Sequence, residues 1–354
     1  MSFPAGLAQT LLAPFSALYR ATMILRNWSF DYEWRSSYAV HAPVISIGNL
    51  TAGGTGKTPL TALLIEDLTR RGLRVGVVSR GYGGTEKGPA RVPAQSANEG
   101  EKALRFGDEP SWFATKYPEI PVFIGADRVR AAEALLNSAQ VDLILADDAF
   151  QHRRLKRDLD IVVLDASEPR WHYSSLPGGR MRESFASLNR AQAVFITKTN
   201  LATEEAIAYL RAKIPSQLLV CEFASVLGGF SRLEKFYEDV PAKEPSSFRG
   251  QKIFLASGIG RPQAFRRLME SEAGTEVVGH RIFPDHHVYT SDDLRSLEAA
   301  ARAAGASAIV VTEKDAVKLQ DWRSGLPTWS SRLMVRAVRG SLKEFYEMAH
   351  RTLR

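Results

Sequence analysis

"VISIGNLTAGGTGKTPLTALLIEDLTRRG", residues 44–72, places an apolar run, a glycine-rich turn and a helical pattern in that order. Residues 44–48 read as a buried strand. Leu60, Leu63, Leu64 and Leu68 fall on one helical face, Pro59 sits just inside the helix start, and Gly72 closes the helix. The turn ends on Gly56, Lys57 and Thr58 as a phosphate-binding loop does, yet Thr51 stands where the generic pattern has glycine. Gly53, Gly54, Thr55 and Gly56 can turn backbone N–H groups toward phosphate oxygens. Lys57 can reach the β- and γ-phosphates of ATP, and Thr58 can ligate Mg²⁺. The helix N-terminus adds its positive partial charge.

Outward from this unit the chain keeps alternating short apolar runs with helical patterns, which predicts a parallel sheet flanked by helices. Further strands are expected at 75–79, 121–125, 142–146, 161–165, 193–197 and 218–223. "YEDVPAKEPSSFRGQ" reads as a linker, and beyond it a second series begins with "KIFLASGIGRPQAF" and "EVVGHRIF". That series continues with a helix over 292–304, "AIVVTEKD" and a last helix after Ser341. The predicted organisation is an N-terminal apolar helical segment (1–40), a P-loop NTPase-like domain (41–235), a linker (236–250) and a smaller α/β domain (251–354) that contributes to the active site.

With 354 residues, 45% hydrophobic and 24% charged, the chain has an ordinary globular composition and the length of two domains. The lone Cys221 excludes an internal disulfide and a cysteine zinc site, and fits a buried small hydrophobe. A net charge of +7 favours anionic partners. Basic residues cluster in "TRRGLR" and in "HRRLKR", the ordinary fate of such runs being a solvated face. Residues 1–19 carry no charge, but no basic residue precedes them and Gln9, Thr10, Pro14 and Ser16 interrupt them. The segment fits neither a secretory signal nor a full membrane span. Two alternatives stay open: a helix lying in the membrane interface, or one packed on the protein itself.

A phosphate loop needs an acid on a neighbouring strand. "VDLILADDAFQH" supplies Asp147 and Asp148 at a strand's carboxyl end, either of which can hold the metal directly or through water. "RFGDEP" places Asp108 and Glu109 in a loop bounded by glycine and proline. "FPDHHVYT" brings Asp285, His286 and His287 together, and "PGGRMRES" offers Arg180 and Arg182. An acid beside a histidine can act as a base toward a hydroxyl, and arginines can offset charge on a phosphoryl group in transfer.

"GNLTAGGTGKTP", "SRGYGG", "GDEP", "GADR", "DDAFQH", "LPGGRMRE", "ASGIGRPQAF", "FPDHHVYT" and "VTEKDAVK" resemble, in order and spacing, the tetraacyldisaccharide 4'-kinase family of lipid A biosynthesis. The resemblance implies transfer of the γ-phosphoryl of ATP, with Mg²⁺, to the 4'-hydroxyl of a tetraacylated glucosamine disaccharide 1-phosphate. It also implies a monotopic or peripheral protein at the cytoplasmic face of the inner membrane. No nucleic-acid partner and no obligate protein partner are expected. By motif, Lys57 and Thr58 hold phosphates and Mg²⁺, Asp147 and Asp148 belong to the metal site, and Gln151 and His152 lie beside it. Asp108 matches the base, partnered by His286. Tyr82, Arg128, Arg182 and Glu183 match other active-site positions. Ala149 replaces the family's glycine, which matters if that position needs positive φ. "LPGGRMRES" adds Arg180, so the catalytic arginine is Arg180 or Arg182.

The rival reading is a nucleotide-switch ATPase that transfers no phosphoryl group to a small molecule. "FITKTN" resembles a guanine-reading motif in outline, but Asn200 replaces its aspartate, which favours ATP. A nucleic-acid-binding module has only the charge in its favour, since no recognised motif accompanies it.

Overall fold

β1 (Val44–Asn49) carries six buried residues in succession, the pattern of a strand covered on both faces. In the computed structural model, which describes residues 5–96, 98–235 and 242–352, it lies within a single twelve-stranded sheet. The other strands are β2 (Val75–Ser79), β3 (Ala90–Arg91), β4 (Val122–Ile124), β5 (Leu143–Asp147), β6 (Leu159–Asp165), β7 (Ala193–Thr197) and β8 (Leu219–Arg232). A second series holds β9 (Lys252–Ser257), β10 (Glu276–Ile282), β11 (Ala308–Thr312) and β12 (Thr328–Arg339). Their order is β10-β9-β11-β12-β8-β7-β6-β1-β5-β2-β4-β3. Neighbours run parallel except β3 with β4 and β8 with β12.

β8 and β12 join the two series. Trp329 pairs with Arg232 at one end and Arg339 with Glu222 at the other. The expected strand at 218–223 is thus only the start of β8, and β12 was not anticipated. Two features hid them. "GG" at 228–229 reads as a breaker, but the register steps from Gly229 to Leu227 across Arg332 and Leu333, so Gly228 is a bulge inside the strand. In β12, Arg332, Arg336 and Arg339 give the run a polar look. Of the predicted linker, residues 236–241 lie outside the described residues, and Pro245–Phe248 form a short 3₁₀ turn.

The helices are α1 (Ala5–Asp31), α2 (Lys57–Arg70), α3 (Glu99–Phe106), α4 (Asp108–Lys116), α5 (Arg128–Ser138), α6 (Glu204–Arg211), α7 (Pro262–Leu268), α8 (Ser291–Ala303), α9 (Glu313–Leu319) and α10 (Leu342–Thr352). α2 buries Leu60, Leu64 and Leu68 against the sheet, as its periodicity predicted, and Gly72 follows it at φ 85°. Asp108 and Glu109 are not in a loop, as expected, but in the first turn of α4. Gly107, at φ 94°, lets the chain leave α3 and enter α4 directly, and proline is tolerated in a helix's first turn.

α1 settles on the protein along one face. Ser16 accepts from Gly178 N at 3.0 Å, Tyr19 donates to Arg182 O at 3.2 Å and Arg26 to Gln151 O at 2.5 Å, while Phe30 is buried. Arg153 of the basic cluster donates to Asn27 O and pairs with Asp31, so this cluster anchors α1. Away from these contacts Leu11, Phe15, Leu18, Leu25 and Trp28 are exposed. No helix among the described residues is long and apolar enough to cross a membrane.

Candidate active site

The loop between β1 and α2 is shaped by its own sequence. Asn49 donates from Nδ2 to Thr51 O at 2.6 Å and to Thr55 Oγ1 at 3.1 Å, bracing the turn from inside. Thr51 forms an antiparallel bridge with Met181, in extended backbone that any residue adopts, so this position does not need glycine. Gly53 and Gly56 do, at φ 115° and 85°. Gly54 has no positive φ, and a Cβ built there meets nothing within 4 Å, so its missing side chain leaves an open cradle. α2 starts with no side chain capping its N–H groups, which leaves them for an anion. The loop therefore fits the phosphates of ATP.

Two acids stand at the mouth of this cradle. Lys57 Nζ lies 3.2 Å from Asp148 Oδ1, and Arg182 Nη1 lies 3.1 Å from Asp148 Oδ2. Burial opposes charge on Asp148, but these two cations hold its carboxyl well below the usual range. Asp147, beneath it, accepts from Thr61 Oγ1 at 3.4 Å; burial first and Glu109 next raise its pKa to about 7. Thr58 Oγ1 donates to Glu109 Oε1 at 3.1 Å. The Thr58 hydroxyl and the two aspartates are hard oxygen donors that suit Mg²⁺. Among the described residues no three acidic, His or Cys groups could hold a metal alone, and Mg²⁺ shared with phosphates needs only one or two carboxylates.

The residue with left-handed backbone in "DDAFQH" is Asp148, at φ 48°, and Ala149 is not among the positive-φ residues. The alanine therefore needs no altered turn, and is fully buried. Gln151 Nε2 donates to Asn49 O at 2.9 Å, tying this turn to β1. His152 is kept neutral, burial pushing its pKa down to about 4.

The second series reaches over this floor. His286 Nδ1 is 3.1 Å from Asp108 Oδ2, joining residues expected to act together. His286 takes left-handed backbone, at φ 62°, and its N–H donates to Gly258 O at 3.2 Å. Its hydrogen bond to Asp108 raises its pKa against the effect of burial. Burial likewise opposes charge on Asp108, yet His286 and Lys318 hold that carboxyl below its ordinary value. Tyr82 stands exposed with its ring 5.2 Å from that of His286. Arg128 is buried near Asp148, donating to Ala126 O at 3.1 Å, and burial pushes its pKa down to about 10.

The two candidate arginines separate. Arg182 touches Asp148, while a guanidinium nitrogen of Arg180 lies 3.3 Å from where a Cβ on Gly53 would stand, against the loop. Glu183 is buried, accepting from Asn27, Ser187 and Arg190, so it ties α1 to the segment carrying both arginines. A groove of about 300 Å³ opens there, lined by Tyr19, Met23, Trp28, Arg182, Ser184 and Arg190. Asn200 is taken up by the backbone of Ser225, and Lys198 beside it donates to Gly54 O at 2.9 Å and to Asp165 at 2.6 Å. Sequence reasoning missed Lys198, Lys314 and Lys318. Lys314 pairs with Glu109, and Lys318 Nζ is 3.0 Å from Asp108 Oδ2.

Comparison with known proteins bears directly on this arrangement. The family model described as tetraacyldisaccharide-1-P 4'-kinase, LpxK, matches residues 8–349. The chain belongs to the tetraacyldisaccharide 4'-kinase family. The tetraacyldisaccharide 4'-kinase of Bdellovibrio bacteriovorus is 36% identical over 345 residues, covering 97% of this chain and 99% of that protein. That of an Anaeromyxobacter species is 38% identical over 342 residues, covering 93% of this chain and 89% of its own length. A crystal structure of LpxK from Aquifex aeolicus in complex with ATP superposes with a TM-score of 0.75 at 25% identity, covering 98% of this chain and 99% of that one.

Proposed function

We propose that this chain transfers the γ-phosphoryl group of ATP to the 4'-hydroxyl of a tetraacyldisaccharide 1-phosphate, working at the cytoplasmic face of the inner membrane. The observation that carries the reading is the Asp108–His286 pair, 3.1 Å apart, reached from two separate series beside one phosphate loop. A nucleotide switch has no use for a buried carboxylate so placed; a hydroxyl acceptor does.

Lys57, the loop N–H groups and Arg182 hold the nucleotide and offset charge on the group in transfer. Thr58, Asp147 and Asp148 would hold Mg²⁺, which when bound neutralises phosphate charge. Asp108, ionised at neutral pH, accepts the proton of the 4'-hydroxyl as transfer proceeds. Arg180 lies against the loop and so toward the phosphates, whereas Arg182 sits at the acid pair. Tyr82, beside His286, flanks the acceptor side, whereas Arg128 lies near Asp148.

The exposed stripe Leu11, Phe15, Leu18, Leu25 and Trp28 supports a helix lying in the headgroup region with its other face on the protein. The groove between α1 and Arg182 then opens where a lipid substrate arrives. The test is to mix the protein, Mg-ATP and the tetraacyldisaccharide 1-phosphate and to identify the product. A 4'-phosphorylated lipid, with little ATP turnover when lipid is left out, is expected. Equal ATP turnover with and without lipid, and no phosphorylated lipid, overturns the reading in favour of a switch.

A further inference from the structure

"TEKDAVK", residues 312–318, carries one side chain, Lys318, that reaches the base and two, Thr312 and Asp315, that brace the turn bearing its histidine partner. Thr312 caps α9, its hydroxyl accepting from Asp315 N at 3.3 Å and donating to Asp315 Oδ2 at 2.6 Å. Asp315, fully buried, also accepts from Gly258 N at 3.1 Å and from Tyr289 OH at 2.8 Å. Gly258 in turn accepts from His286 N, so Asp315 fixes the turn that carries the histidine. Almost one helical turn past Asp315, Lys318 crosses to Asp108 Oδ2 at 3.0 Å, with its side chain only 6% exposed. Its ammonium also lies 3.7 Å from Asp315 and 5.5 Å from the Tyr289 ring.

Burying an ammonium costs several kcal/mol unless a carboxylate meets it. Here that carboxylate is the residue read as the base. Lys318 and His286 both bind Oδ2, and among the described residues no hydrogen bond reaches Oδ1. We propose that Lys318 is a positioning residue for the acceptor site: with His286 it grips one oxygen of Asp108 and leaves the other to the acceptor hydroxyl. This rests on the reading of Asp108 as the base. Two donors make a weaker base, a cost that phosphoryl transfer tolerates because positioning matters more than base strength.

Asp108 is faced by Lys314 and Lys318 from α9 and by His286 and Tyr289 from the turn after β10; Asp285 lies against the far nitrogen of His286, and Glu109 is the next residue on the same helix. Removing one positive charge at this distance shifts a carboxylate upward by about 1 to 3 pH units. In Lys318→Met the acid limb of the kcat profile is expected to move up by about 1 pH unit or more. Turnover at neutral pH should fall about tenfold, with KM for ATP and lipid little changed, and Lys318→Arg should restore both. Lys318→Gln, which keeps a donor and loses the charge, should move the limb as well and serves if the methionine variant does not fold. Limb position does not depend on the fraction folded, so a limb unmoved in either folded variant overturns the proposal. Asp108→Asn is the control. If it keeps full turnover, the base reading itself fails; if it is inactive while the Lys318 limb stays put, only the role of Lys318 fails.

Discussion

Gly107 stands between α3 and α4 at φ 94° and ψ 154°, a conformation that side chains rarely adopt. A Cβ built there lies 2.6 Å from the Tyr82 carbonyl oxygen, and backbone cannot swing aside as a flexible side-chain tip can. Its successor is Asp108, so strain at this residue is passed to the base and to the Tyr82 loop together. Gly107→Ala should lower stability by about 2 kcal/mol or more, read from urea unfolding, and should cut turnover by roughly 100-fold, the usual cost of moving a catalytic group by about 1 Å. A variant as stable and active as the parent would show that neither the strain nor the contact is real. "GDEP" was legible as a place for chemistry because two acids stood beside glycine and proline. Its helix was not, since nothing local says that a positive-φ glycine ends one helix and begins another. The same limit applied to "DDAFQH", where the left-handed residue proved to be Asp148.

α1 shows two faces at the scale of an element. Ser16, Tyr19, Arg26, Asn27 and Phe30 engage the protein, while Leu11, Phe15, Leu18 and Leu25 recur at steps of four, three and seven residues and face outward. Both readings kept open from the sequence are thus compatible, because one helix can pack on the protein and still offer an apolar stripe. Changing those four outward residues to serine removes apolar area without touching the inward hydrogen bonds. Binding to anionic lipid vesicles should weaken by roughly two orders of magnitude or more, measured by co-sedimentation, while ATP binding stays as it was. Unchanged vesicle binding would take the membrane role away from this stripe. Strand and helix periods made β1, α2, β2 and β7 legible almost to the residue, since each is apolar on a regular repeat. The β8 and β12 ribbon escaped because a bulge at Gly228 and three arginines broke the pattern, and pairing between strands about a hundred residues apart leaves no local trace.

At the scale of the whole molecule, the site exists only because β8 and β12 bring the second series back over the first. Asp108 meets His286 across 178 residues and Lys318 across 210. Other ties cross the same seam: Lys116 with Glu313 at 3.8 Å, Arg261 with Asp165 at 3.6 Å and Tyr346 OH with Asp67 at 2.6 Å. None of these was visible in the sequence, where charges are seen and partners are not; only the family resemblance had paired Asp108 with His286. The seam has a pH signature. His286 is raised above 6.5, chiefly by its hydrogen bond to Asp108, with burial opposing; Asp285 at 3.8 Å adds to the rise and Lys314 works against it. Asp108, held below 3.8, stays ionised over the whole range from weakly acid to alkaline. A group whose folded pKa exceeds its unfolded value stabilises fully below the unfolded value, and loses that contribution as pH rises through the folded one. The stability gap between the parent and His286→Gln, from urea unfolding, should therefore be widest below pH 6.5 and shrink as pH climbs into the alkaline range. Titrating groups distant from His286 cancel in the difference, whereas Asp108, which His286 helps to hold ionised, does not, so the comparison is made at pH values above the carboxylate range. A gap that stays flat, or widens with rising pH, would mean that Asp108 does not hold His286 as a cation and that the seam is closed by its other ion pairs.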